Sequence, residues 1–181
     1  MVSLAAINGP TSCVLSGNLD SIVHCTSHMD SQRVRASHAD HSLFVEPCYP
    51  ALLSASAKLE TARPRLAFYS TVRGGLANNR LGPEHWAAHA LLPVLFYPAV
   101  RAAVEDGLTV FLELGMPMLV KMGIDCCRDI SDSLVWHAVL GNSIAEDVQA
   151  FACAVEIGKL GSCHSSDPMV VVGQSALGAL D

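Results

Sequence analysis

The segment Leu108–Leu114 is a nearly continuous apolar run, and it constrains the fold of this chain more than any other feature. Such runs are typical of parallel strands, because helices cover both faces of a parallel sheet. Helical periodicity lies on both sides of the run, over Val94–Asp106 and again from Pro117 onward. Two more strands of the same layer are predicted at Ala67–Thr71 and Val135–Leu140. The alternation of strands and helices therefore predicts an α/β fold with a parallel sheet.

The first 36 residues have a different pattern. Val2–Ile7 and Cys13–Leu15 are predicted as short strands joined by a turn that contains glycine and proline, and Arg33–Ala36 as a third strand. A helix is predicted to begin at Leu19, with Asn18 as its N-cap. We expect a small α+β lobe over residues 1–36, the main α/β region over residues 37–161 and a tail over residues 162–181.

Charge and cysteine content exclude several classes of protein. Hydrophobic residues make up 51% of the 181 residues, charged residues make up 15%, and the formal net charge is −6. Because the chain has no block of Lys or Arg, neither a nucleic-acid groove nor a polybasic membrane surface is expected. The first nineteen residues are uncharged, but turn residues interrupt them and they contain no basic n-region, so no secretory signal or membrane span is predicted. Seven cysteines without paired spacing favour a reduced, cytoplasmic protein.

Five short stretches carry recognisable motifs in a fixed order. They are LAAINGP…VLSG over residues 4–17, SHADHS over 37–42, YSTVRG over 69–74, HW…PVLF over 85–96 and FLELG over 111–115. In this order they resemble the acyltransferase domain of modular type I polyketide synthases, which is related to malonyl-CoA:acyl-carrier-protein transacylases. The resemblance implies the C-terminal portion of an α/β-hydrolase-like acyltransferase subdomain, preceded by an incomplete ferredoxin-like lobe.

The resemblance also implies a reaction. A malonyl-type acyl group moves from coenzyme A, through an acyl-serine, to the phosphopantetheine thiol of an acyl carrier protein, and no metal or redox cofactor takes part. The implied partners are the acyl carrier protein and the remainder of a polyketide synthase. The family's serine lies in a G-H-S-x-G elbow before the first matching motif, so we expect the isolated chain to be inactive. The alternative is a non-catalytic remnant or a module that binds the carrier protein.

The resemblance assigns roles to individual residues. His41 matches the family's general base, a task suited to histidine because its pKa lies near 6.5. His89 matches the residue whose backbone carbonyl orients that base. The residues that match the segment governing the choice of acyl group are His38, Ala39 and Asp40, although Asp40 replaces a phenylalanine and its carboxylate would repel that of a malonyl group. The turn at Asn8 and Gly9 matches the mouth of the family's active-site cleft.

Three other patterns have less specific interpretations. His24, Cys25 and His28 have the spacing of metal ligands on a helix, but no further ligand follows at a diagnostic spacing, so no metal site is predicted. The adjacent Cys126 and Cys127 are predicted to pack in the core. Ser175 lies in a G-x-S-x-x-G sequence that departs from a nucleophile elbow by one residue, and the favoured interpretation is an apolar tail.

Overall fold

A computed structural model describes residues 1–34, 36–115, 117–130, 133–140 and 170–173 of the chain. The chain divides into two compact units, Met1–Ala102 and Ala103–Asp181. This division does not coincide with the boundary predicted at residue 36. Within the residues described, no helix is both long and apolar enough to cross a bilayer.

The first unit begins with a β-hairpin and a helix. Strand β1 (Val2–Gly9) pairs antiparallel with β2 (Ser12–Gly17), and α1 (Leu19–Thr26) follows. The Asn18 side chain accepts hydrogen bonds from the N–H groups of Asp20 and Ser21, which confirms the predicted N-cap. The strand predicted at Arg33–Ala36 is wrong, since the three described residues of that segment are exposed and irregular. A strand needs a neighbour to bond and a face to bury, and these residues have neither.

The remainder of the first unit contains four short helices and a second hairpin. The elements are a 3₁₀ helix (Leu43–Cys48), α2 (Tyr49–Ser56), β3 (Tyr69–Ser70), β4 (Gly75–Leu76), α3 (Pro83–Leu91) and α4 (Phe96–Glu105), whose last residues belong to the second unit. Helical periodicity predicts a helix over Glu46–Leu59, and the structure begins this segment as a 3₁₀ helix that contains Pro47, which has no N–H to donate. Ala67–Thr71 is not a strand of the parallel sheet. Its strand residues pair antiparallel with β4 across a turn in which Gly74 has a φ of +68°.

The second unit contains the parallel sheet. Among its described residues the elements are β5 (Val110–Leu114), α5 (Leu119–Cys126), β6 (Val135–Ala138) and β7 (Val170–Gly173). The strand order is β6-β5-β7, and β5 pairs parallel with both neighbours. This confirms the strand predicted from the apolar run, because Phe111, Leu112 and Glu113 are all buried. Helical periodicity also predicts a long helix over Ile144–Leu160, which lies outside the described residues.

An aromatic pair holds α5 against the sheet. The rings of Phe111 and Trp136, on neighbouring strands, are stacked with centroids 4.1 Å apart. The Trp136 ring also lies directly against the backbone of α5 at Gly123, where an added Cβ would overlap three of its ring atoms. Glycine is therefore required at this helical position by the close approach of the ring, although it weakens an isolated helix by about 1 kcal/mol relative to alanine.

Gly123→Ala is expected to destabilise the chain, whereas the same change in an open helix is stabilising. Overpacking of this kind costs about 1–3 kcal/mol, which exceeds the gain in helix propensity, so the melting temperature is expected to fall by several degrees. Gly115→Ala is the matched control, because a Cβ there would meet no atom within 4 Å. Thermal unfolding of both variants followed by circular dichroism provides the measurement. A higher melting temperature for Gly123→Ala would contradict the described packing.

Candidate active site

The loop at residues 37–42 is closed by one serine hydroxyl, and it presents His41. Ser42 Oγ donates to the carbonyl oxygen of Ala39 at 2.6 Å and accepts from the N–H of Phe44 at 3.2 Å. The same hydroxyl thus closes the loop and caps the 3₁₀ helix that follows. His41 has a left-handed backbone, with a φ of 53°. This conformation costs a non-glycine residue about 1 kcal/mol or more, and it persists only where surrounding contacts hold it.

Two backbone carbonyls near the end of α3 supply those contacts. The N–H of His41 donates to the carbonyl of Ala90 at 3.1 Å, and its ring Nδ1 lies 2.9 Å from the carbonyl oxygen of Leu92. Because a carbonyl oxygen only accepts, Nδ1 of the neutral ring carries the proton and Nε2 keeps its lone pair. A ring fixed in this tautomer is arranged to take up a proton at Nε2.

The sequence explains why these carbonyls are available. The last carbonyls of a helix have no partner within the helix. Pro93 prevents α3 from continuing, and Leu92, the residue before it, is extended with a φ of −79° and a ψ of 154°. The N–H of Leu92 closes the final turn on the carbonyl of Ala88 at 2.8 Å. The carbonyls of Ala90 and Leu92 are therefore left to bond residues outside the helix.

Two further histidines lie on α3, and one of them, His89, is beside His41. The rings of His89 and His41 have centroids 6.1 Å apart in an edge-on arrangement. Burial lowers the pKa of His89, and the neighbouring His41 lowers it further. The pKa of His85 is lowered by burial, then by Arg73 and by His89. Both rings are thus favoured in the neutral form, so that His41 can gain a proton without a charged imidazole beside it.

The position of the orienting group differs from the one predicted. The resemblance assigned this role to the backbone carbonyl of His89, whereas the carbonyl that bonds the His41 ring belongs to Leu92, three residues later. Instead, the half-buried ring of His89 lies beside the ring of His41.

His38 and Asp40 form a short chain of hydrogen bonds on the same loop. Asp40 Oδ1 lies 3.0 Å from His38 Nε2, and His38 Nδ1 lies 2.8 Å from the hydroxyl of Ser37. A carboxylate oxygen only accepts, so Nε2 carries the proton and Nδ1 accepts from the serine. More than half of each of the two side chains is exposed. The Asp40 carboxylate is therefore engaged by His38 even while that histidine is neutral.

The turn at Asn8 and Gly9 lies at the end of β1, and β1 is hydrogen-bonded to the segment that follows α3. The N–H of Ile7 donates to the carbonyl of Val94 at 2.9 Å, and the N–H of Val94 donates to the carbonyl of Ala5 at 2.8 Å. Val94 is only two residues beyond the carbonyl that bonds His41. The end of β1, which leads into the turn, is thus held beside the segment that positions the base.

The remaining candidates do not form a site in the described structure. His24, Cys25 and His28 are exposed, and the residues that the structure describes contain no group of three His, Cys, Asp or Glu side chains able to hold a metal ion. Cys126 and Cys127 are buried, which confirms the prediction that they pack in the core. Ser175 lies outside the described residues.

Sequence reasoning missed the two acceptor carbonyls and the left-handed backbone of His41. A backbone carbonyl carries no side-chain signature, so residue types at positions 90 and 92 do not reveal it. The usable signal was Pro93, because a proline that ends a helix frees the carbonyls just before it. Nothing in the local sequence marks a φ above zero at a histidine.

The fold and the site can now be compared with those of known proteins. The acyltransferase domain from the second module of the salinomycin polyketide synthase superposes with a TM-score of 0.77 at 25% identity, over 92% of this chain and 44% of that one. A malonyl-CoA:acyl carrier protein transacylase from Clostridium perfringens has the same fold, with a TM-score of 0.75 at 18% identity over 92% of this chain and 52% of that one. The fold class is thus the mixed α/β fold of acyltransferases, as predicted.

Sequence comparison identifies the family. The chain belongs to the acyl transferase domain family, whose sequence model matches residues 1–165. It is 37% identical over 134 residues to the polyketide synthase GfsB of Streptomyces halstedii and 34% identical over 150 residues to the mycoketide-CoA synthase of Mycobacterium tuberculosis. These alignments cover 69% and 77% of this chain but only 2% and 4% of the two synthases. The chain therefore corresponds to part of one domain of much longer proteins.

Proposed function

We propose that His41 is the general base of an acyl transfer reaction carried out by the whole protein to which this chain belongs. The reaction moves a malonyl-type acyl group from coenzyme A to the phosphopantetheine thiol of an acyl carrier protein. The observation that supports this proposal is the hydrogen bond from His41 Nδ1 to the carbonyl of Leu92, since it leaves the Nε2 lone pair to take a proton. The whole protein is proposed to be a cytoplasmic polyketide synthase.

The proton moves through His41 in both halves of the reaction. A serine hydroxyl, which the resemblance places before the first motif, attacks the thioester carbonyl while His41 Nε2 takes its proton. The carbon–sulfur bond then breaks, and the same nitrogen returns the proton to the leaving thiolate of coenzyme A. In the second half His41 takes the proton of the carrier thiol, which attacks the acyl-serine, and returns it to the serine oxygen. Atoms and charges balance without a metal or redox cofactor.

The neighbouring residues have supporting roles in this proposal. The ring of His89 lines the surroundings of the base and, because burial favours its neutral form, adds no competing charge there. The segment that chooses the acyl group is made up of His38, Ala39 and Asp40, and the hydrogen bond from His38 fixes the Asp40 carboxylate. The turn at Asn8 and Gly9 borders the cleft. The direct test of the proposal is substitution of His41 in the whole protein, with transfer to the carrier protein as the readout.

The isolated 181-residue chain is expected to take up no acyl label. A base without its nucleophile recovers little of the rate, because the two groups act as a unit. The purified chain is incubated with radiolabelled malonyl-CoA, with and without carrier protein, and protein-bound label is counted after denaturation.

The Ser175→Ala variant is the control for this experiment. Stable label on the unmodified chain that disappears in the variant would show that Ser175 is a nucleophile. Label that survives the substitution would point to another nucleophile, such as the exposed Cys48. Either result would contradict the expected inactivity.

A further inference from the structure

Hydrogen bonds also join the two irregular segments that flank the hairpin β3–β4. The N–H of Ala77 donates to the carbonyl of Phe68 at 2.7 Å. Further out, Arg63 Nε donates to the carbonyl of Asn78 at 2.8 Å, and Arg80 Nε donates to the hydroxyl of Thr61 at 2.8 Å. From one hydrogen bond to the next, the residue number falls in the first segment and rises in the second. The two segments therefore run antiparallel. We call residues 61–80 the arginine arm.

The arginine arm has a charge opposite to that of the whole chain. It contains four arginines and no aspartate or glutamate, whereas the chain has a net charge of −6. The side chains of Arg63, Arg65 and Arg80 are exposed. In the described part of the chain none of these three pairs with a carboxylate. The arm is therefore a locally positive segment of a negatively charged chain, and among the described residues these three guanidinium groups form no ion pair.

Two of the guanidinium groups are held in place before any partner binds. In both Arg63 and Arg80 the Nε–H is bonded to the opposite segment, and among the described residues the four N–H bonds of the two terminal nitrogens have no partner on either group. These nitrogens can bind a carboxylate with two parallel hydrogen bonds. Because the side chains are already ordered, less conformational entropy is lost when a partner binds.

Exposed apolar side chains accompany these charges. Leu66 is 84% exposed, and it lies next in sequence to Arg65. Phe68 and Leu76 are also exposed, at 38% and 39%. Arginine and aromatic residues are enriched in protein–protein interfaces, where apolar side chains are surrounded by polar groups. This combination favours a protein partner over a nucleic acid, for which a row of lysines and arginines without exposed leucine would be sufficient.

We propose that the arginine arm is a docking surface for a protein whose contacting face carries carboxylates around an apolar centre. In the reaction proposed above, the protein that must dock is the acyl carrier protein, so this assignment rests on the proposed function. The arginines bind the carboxylates of the partner, and Leu66 packs against its apolar centre. The arm recruits the partner and takes no part in proton transfer.

The test measures the affinity of the 181-residue chain for a phosphopantetheinylated carrier-protein domain of net negative charge, by fluorescence anisotropy at low and high salt. Arg65→Glu is the main variant, because Arg65 is exposed and forms no hydrogen bond among the described residues. Its dissociation constant is expected to rise at least tenfold at low salt. Leu66→Ser is expected to weaken binding about fivefold without changing the salt dependence.

Lys121→Glu is the matched control, since Lys121 is an exposed cation on α5 in the other unit and undergoes the same change of charge. Its dissociation constant is expected to change less than twofold, and circular dichroism verifies that every variant is folded. Equal weakening by Arg65→Glu and Lys121→Glu would overturn the proposal, because bulk charge would then explain the binding. Unchanged binding in Arg65→Glu would overturn it as well.

Two further outcomes separate this inference from the proposed function. If the carrier domain binds and its affinity is unaffected by Arg65→Glu, docking occurs elsewhere and the proposed reaction stands. If no carrier domain binds at all, both proposals fail. Binding of a 20-nucleotide RNA that is lost in Arg65→Glu, together with carrier binding that is not, would assign the arm to nucleic acid and overturn the inference.

Discussion

His41→Ala in the whole protein is expected to lower acyl transfer from coenzyme A to the carrier protein by about 10³-fold. In the proposed reaction, the variant loses the group that accepts the proton of the attacking hydroxyl and returns it to the leaving thiolate. The ring bonds the backbone carbonyl of Leu92, so the loss is expected to concern proton transfer more than substrate binding. We therefore expect kcat to fall while KM for the acyl-CoA stays within about threefold. Steady-state transfer of labelled malonyl groups to carrier protein provides both constants.

A control variant separates loss of the proposed base from a general effect of replacing a histidine. His28→Ala is the control, because His28 is exposed and lies outside the proposed site. A His41→Ala protein that keeps more than a tenth of the activity would show that another group is the base.

Glu113→Ala is expected to lower the free energy of unfolding of the chain by about 4 kcal/mol. Glu113 is 3% exposed and lies on the central strand β5. Its two carboxylate oxygens accept from the N–H groups of Met118, Leu119 and Val120, at 2.9 to 3.1 Å. These are the otherwise unpaired donors at the start of α5, whose N-cap position has no capping side chain of its own. Alanine would leave them without an acceptor and remove a negative charge from the positive end of the helix.

Urea denaturation followed by circular dichroism measures this effect. Glu113→Gln keeps one acceptor oxygen and is expected to lose about half as much stability. Glu105→Ala is the matched control, since it removes an exposed glutamate at the end of α4 and should change stability by less than about 0.5 kcal/mol. A loss of under 1 kcal/mol in Glu113→Ala would mean that the carboxylate does not cap α5.

The elements that the sequence predicted well are those whose own residues determine them. Strand β5 was predicted because its apolar run has to be buried on both faces, and the structure places it between two parallel neighbours. The start of α1 was predicted because the Asn18 side chain bonds the first N–H groups of that helix directly. In both places the information lies within a few residues of sequence.

Elements that depend on distant partners were predicted less well. Ala67–Thr71 has the composition of a buried strand, yet Tyr69 and Ser70 pair with the segment immediately after them because Gly74 permits a tight turn. The segment Arg33–Ala36 is too short for its sequence pattern to indicate whether a partner strand would pair with it. Composition states which residues can form a strand, but the choice of partner depends on the rest of the fold.

For the candidate site, the proposed base was named from the sequence, whereas the groups that hold it in place could not be predicted. His41 was identified from a motif of six residues, and a motif of this kind is a pattern of side-chain identities. The groups that hold His41 are the backbone carbonyls of Ala90 and Leu92, about fifty residues away in sequence. Every residue has a backbone carbonyl, so the residue type does not mark the ones that bond His41. What selects them is the point at which α3 ends, and boundaries of this kind depend on tertiary structure as well as on Pro93.

The capping of α5 by Glu113 also fixes the register of the central sheet. Side chains alternate between the two faces of a strand, so a shift of β5 by one residue would turn Glu113 away from the first N–H groups of α5. The same shift would separate Phe111 from its stacking partner Trp136 on β6. A displaced alignment would therefore bury a carboxylate with no donor and leave a helix end unpaired. The buried acid thus discriminates against misaligned forms of a sheet whose apolar strands could otherwise slide past one another.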